Sequence, residues 1–134
     1  MNSVICFRNY KTDKQTLANL EHLTSVCSNV VHLFDCTDKE KFDSAFNLCY
    51  QDYIESRYPL ATIEQIKRTR GNKGFSNNPV LYEKWLRQSQ MWYNTTHAIM
   101  LYWRKYPDYD YYWSLDSDVW FNGNWQDFYS QFDN

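Results

Sequence analysis

No apolar run in this chain approaches the roughly 18 residues of a membrane-spanning helix. The opening MNSVICFRNYK turns polar sooner than a secretory signal does, so the cytoplasm is the expected compartment. An excess of one charge is lacking too. Fourteen Lys and Arg against 16 Asp and Glu leave a net charge of −2, which argues against nucleic acid or an anionic membrane as partner. The four cysteines (Cys6, Cys27, Cys36, Cys49) contain no C-x-x-C pair and lie in or beside apolar runs. Buried free thiols in a reducing compartment fit that pattern better than disulfides or metal ligands. The histidines, His22, His32 and His97, lack metal-ligand spacing; the first is expected solvated, the others partly buried with hydrogen-bond partners. Glycine is scarce, and two of the three fall in RTRGNKGFSNN (Arg68–Asn78), a basic, aperiodic stretch expected to be a loop. Repeats, low-complexity tracts and linkers are missing, so residues 1–134 are expected to form a single domain.

What is present points to a folded globular chain, with 43% hydrophobic and 22% charged residues. SVICFRNY (Ser3–Tyr10) reads as a buried first strand ending in polar residues. Thr12 to Gln15 has the form of a capping box, and Leu17, Leu20, Leu23 and Val26 follow at helical spacing. NVVHLFD (Asn29–Asp35) is a second β run, followed by another capping-box pattern from Thr37 to Glu40. That pattern predicts a second helix carrying Phe42, Ala45, Phe46 and Cys49 inward. Pro79 is expected to open a long helix to about Arg104, with Trp85, Gln88, Trp92, Thr96, Ile99 and Trp103 on one side. N-T-T at Asn94 falls inside that helix, so its match to a glycosylation site is taken as chance. Alternating strands and helices predict right-handed βαβ crossovers and a parallel sheet, hence an α/β fold.

WSLDSDVWFNGNW (Trp113–Trp125) carries the chemistry. Side chains two apart on a strand share a face, so an extended chain would aim Asp116 and Asp118 the same way. Two carboxylates so placed repel unless a cation balances them. A hard divalent ion such as Mn²⁺ or Mg²⁺ takes such oxygens, with waters and phosphates completing its shell. D-S-D is also ordinary turn chemistry, with aspartates capping backbone amides. Ligands of open parallel sheets bind beyond the carboxyl ends of the strands, where this pair is expected.

The segment resembles the DxD region of GT-A glycosyltransferases. It is similar to a group with Tyr109, Tyr111, Trp113, Leu115, Asp116, Asp118, Val119, Phe121, Gly123 and Trp125 in the same pattern. The resemblance implies a Rossmann-like, mostly parallel sheet with flanking helices, forming the nucleotide-sugar-binding half of the family's fold. It implies Asp118 as ligand to a Mn²⁺ or Mg²⁺ bridging the donor diphosphate. Asp116 would meet that metal through water, or the donor ribose. Asp35, ending the second strand, would lie near the ribose or base. Arg8 and Asn9, ending the first strand, are placed to meet the nucleotide. GNKGFSN, with Lys73, is similar to a donor-side segment of family-two transferases. The activity implied is metal-dependent transfer of a sugar from a nucleotide sugar to a carbohydrate or other hydroxyl acceptor. Only WQDFYSQFDN follows Asn124, whereas the family continues into an acceptor-binding half. The expectation is therefore a donor-binding half truncated after the DxD strand, self-associating or completed by a C-terminal half. No catalytic base is assigned. The alternative is a non-catalytic nucleotide-sugar or carbohydrate-binding module, or an inactive remnant. LDSDV also resembles an aspartate-nucleophile phosphatase motif, but the lysine and acidic pair that chemistry requires downstream have no room.

Overall fold

A computed structural model describes residues 2–37, 39–49, 52 and 95–132. Four strands form one parallel sheet: β1 (Ser3–Asn9), β2 (Val30–Asp35), β3 (Phe46–Leu48) and β4 (Tyr111–Asp116), in the order β3-β2-β1-β4. The expected parallel α/β architecture is therefore present. Among the described residues three helices flank it: α1 (Lys14–Val26), α2 (Thr95–Lys105) and α3 (Trp125–Ser130). β1 is central because its apolar run can be buried on both faces, as parallel strands require; it is covered from Val4 to Asn9.

Alternation along the strands divides the core in two. Val4, Cys6, Leu33 and Leu48 face α2, where Ala98 and Tyr102 pack on them. Ile5, Phe7 and Leu115 face Leu23 of α1 and Trp125 and Tyr129 of α3. The amino ends of β1 and β4 are tied together. The Asn2 N–H donates to Asp110 Oδ2 at 3.0 Å, and the Asp110 N–H returns to the Asn2 carbonyl at 2.8 Å.

α1 carries the expected apolar stripe, with Leu23 buried and Leu17, Leu20 and Val26 half-buried. Its cap lies one residue later than Thr12. The Asp13 carboxylate accepts from the Thr16 N–H (3.1 Å) and the Thr16 hydroxyl (2.7 Å), a charge-assisted cap that outcompetes a hydroxyl.

The expected second helix is overturned. Phe46–Leu48 instead forms β3, with Leu33 opposite Phe46 and Asp35 opposite Leu48. Two local competitors defeat the helix. The Thr37 N–H is taken by Asp35 Oδ1 at 3.0 Å, so no capping box forms. The Asn47 amide accepts from the Phe42 N–H (3.1 Å) and donates to the Ala45 carbonyl (3.1 Å), holding a turn that feeds the strand.

The inward face of α2 matches the expected one at Ile99, which packs half-buried on the core, and differs elsewhere. His97, Ala98 and Tyr102 are buried, whereas Thr96 is exposed and Trp103 is 46% exposed. Small Ala98 lets the helix approach the sheet closely; an indole at that position would hold it away. The rest of the predicted long helix, from Pro79 to Asn94, and the Arg68–Asn78 loop lie outside the described residues.

Candidate functional site

The neighbours of β1 explain where a site belongs. β2 and β3 lie to one side and β4 to the other, so the strand order diverges between β1 and β4, the position beyond whose carboxyl ends open parallel sheets take their ligands. Register pairing places Arg8, the penultimate residue of β1, directly opposite Asp116, the last of β4. Arg8, Ser114 and Asp116 share the α2 face with Cys6 and Val4, as does Asp35 at the end of β2.

Arg8 is 7% exposed yet carries a full charge. Its Nε donates to Ser114 Oγ at 2.9 Å, and its Nη2 forms an ion pair with Asp116 Oδ1. The Asp116 side chain is 55% exposed, so this pair has a dry end and a wet end. Cys6, two residues before Arg8, has its thiol pushed up to about 12 by burial, partly offset by the guanidinium. It is an inert packing group. All four cysteines are free, and Cys6, Cys27 and Cys36 are buried.

Asp116 and Asp118 do not continue one extended strand. β4 stops at Asp116, and the Val119 N–H closes a turn onto the Asp116 carbonyl at 3.1 Å. Ser117 is buried within the turn while both aspartates are exposed. The turn chemistry anticipated from D-S-D is thus realised by the backbone. The Asp116 carboxylate goes to Arg8 instead of capping an amide. The repulsion expected between two like charges is relieved by a tethered guanidinium.

Asn9 faces the opposite side of the sheet and is fully buried. Its Oδ1 accepts from the Lys11 N–H at 2.8 Å, and its Nδ2 donates to the Lys11 carbonyl at 2.8 Å. That fixes the amide orientation, so Nδ2 also donates to His32 Nε2 at 3.1 Å and the imidazole proton sits on Nδ1. His32, ringed by Phe7, Phe34 and Phe42, has its pKa lowered to about 4 by burial. Asn9 therefore shapes the end of β1 and does not share a face with Arg8.

Asp35 is 3% exposed and turns the chain through its bond to the Thr37 N–H. Beside it, Thr37 Oγ1 is buried with no hydrogen-bond partner among the described residues, an orphan hydroxyl just past the end of β2. Reading Thr37 as a helix cap concealed it; reading Ser114 as a strand residue concealed its hold on Arg8. Lys73 lies outside the described residues.

Among the described residues no cluster of three or more His, Cys, Asp or Glu could cage a metal. The carboxylates present suit a different mode, in which a hard divalent ion takes one or two protein oxygens and draws the rest from waters and phosphates. No helix among the described residues is long and apolar enough to cross a membrane. The chain matches no protein-family model, no curated protein and no solved structure.

Proposed function

We propose that this chain binds the nucleoside diphosphate of a nucleotide sugar, as the donor half of a metal-dependent glycosyltransferase. The observation that carries the reading is the ending of β1 and β4. A buried arginine pairs there with exposed Asp116, and exposed Asp118 follows two residues on in the same turn, at the point where the strand order of a parallel sheet diverges. In such sheets phosphorylated ligands enter beyond the carboxyl ends of the strands. Arg8 supplies planar N–H donors to phosphate oxygens. Asp118 and Asp116 are the residues that would hold Mn²⁺ or Mg²⁺, an ion that would offset charge on a departing diphosphate. Asp35 and Thr37 supply a carboxylate and a hydroxyl on the β2 side, suited to ribose or base edges.

Isothermal titration of the chain with UDP and with GDP, in Mn²⁺ and in EDTA, tests this. Binding of at least one nucleotide in Mn²⁺, lost in EDTA, is the expected result. Equal affinity in both media overturns the metal, and no binding in either overturns the donor site.

A further inference from the structure

A divalent cation approaching Asp116 meets a carboxylate that already has a cation. Without a competing anion the guanidinium stays beside Asp116, with Nε donating to Ser114 Oγ at 2.9 Å and the side chain 7% exposed. A divalent cation and a guanidinium brought to the same carboxylate repel each other. A free metal ion is therefore left with Asp118, exposed and carrying no ion pair among the described residues. A diphosphate changes the balance on both sides. It offers Arg8 a two-oxygen acceptor that matches the guanidinium fork, and it brings enough negative charge to hold both cations.

We infer that Arg8 is a coupling residue: it makes cation binding at the Asp116–Asp118 turn conditional on a phosphate-bearing ligand. Without ligand it neutralises Asp116 and keeps free metal off. When a diphosphate arrives, the guanidinium turns from Asp116 to the phosphate, and Asp116 becomes available to the metal. The inference rests on the donor-site reading and adds the order of events within it. It also makes Arg8 and Asp116 act against one another, which a purely structural ion pair would not.

Two probes separate these roles in the full chain. Mn²⁺ alone is followed by the electron paramagnetic resonance of the free ion, and inorganic pyrophosphate in EDTA by calorimetry. Arg8→Gln is expected to bind Mn²⁺ alone at least fivefold more tightly than wild type and pyrophosphate at least fivefold more weakly. Opposite signs in one variant cannot come from partial unfolding, which weakens both. Asp116→Asn, whose altered group is mostly in solvent, covers the case in which Arg8→Gln does not fold. It frees the guanidinium and is expected to bind pyrophosphate in EDTA at least threefold more tightly. Unchanged or weaker Mn²⁺ binding in folded Arg8→Gln, or unchanged or weaker pyrophosphate binding in Asp116→Asn, overturns the coupling. If wild type binds Mn²⁺ and pyrophosphate together while either result holds, only the coupling falls. If wild type binds no mixture of the two, the donor site itself falls.

Discussion

Asp118→Asn removes a carboxylate that stands exposed in a turn, so metal-free stability should move by no more than about 0.5 kcal/mol. On the proposed function, metal-dependent nucleotide binding should vanish in the same variant. Asp116→Asn differs, because it strands a buried guanidinium; a loss of about 1–3 kcal/mol is expected. Urea melts of the two variants without metal check the contrast, and equal stabilities would deny Arg8 its pairing. Gly123 is decided by packing in the same turn region. A Cβ placed there would lie 2.5 Å from the end of the Phe121 ring, which itself packs on Trp125 and Phe128. Gly123→Ala should therefore cost about 1–3 kcal/mol by pushing Phe121 off Trp125, and melting temperatures of the two proteins measure it. In the sequence Gly123 is one letter of a motif; the ring that crowds a side chain there comes from two residues away and is held by Trp125 and Phe128 of α3.

Short elements here depend on their caps. α3 has six residues, and the Asn124 side chain accepts from the Asp127 N–H at 3.1 Å to start it. Its buried Trp125 and Tyr129 cover Ile5, Phe7 and Leu115. Asn124→Ala should cost about 1 kcal/mol, with Asn124→Asp retaining most of the stability; thermal melts of both variants decide it. The elements readable from sequence were those whose own residues suffice. β1 and β2 are continuous apolar runs, and α1 has a four-position stripe, so burial alone selects them. β3 was misread because Phe42, Ala45, Phe46 and Cys49 satisfy a helical period just as well. What selects a strand is the free edge of β2 beside it and the Asn47 amide that holds the preceding turn. The phase of α2 was misread for a related reason: its heaviest residues set the apparent face, while close approach to the sheet favours its smallest one, Ala98.

Across the whole molecule, buried histidine makes stability depend on pH. His32 is lowered from 6.5 to about 4 by burial, so the folded chain binds fewer protons than the unfolded chain below pH 6.5. Its stabilising contribution is complete above pH 6.5, is lost as the pH falls, and levels off below about 4. At about 1.4 kcal/mol per pKa unit, His32 alone removes on the order of 3 kcal/mol over that window. His97, also lowered to about 4 by burial, acts in the same direction. Urea midpoints at pH 7, 6 and 5 should fall progressively, with the His32 ring proton shifts constant until well below pH 6. Midpoints that stay level across this range would contradict buried neutral imidazoles.

By itself the sequence determined that β1 and β2 are buried parallel strands joined through α1, and that the acidic pair lies at the end of a strand. Each follows from local apolar pattern and spacing, which the chain carries wherever it folds. Only the tertiary structure decided what the aspartates face. Arg8 and Asp116 stand 108 positions apart in the chain, and no local rule links them. Pairing β4 beside β1 in one register makes them neighbours, and burial then forces the guanidinium to take the nearest carboxylate as its counter-ion.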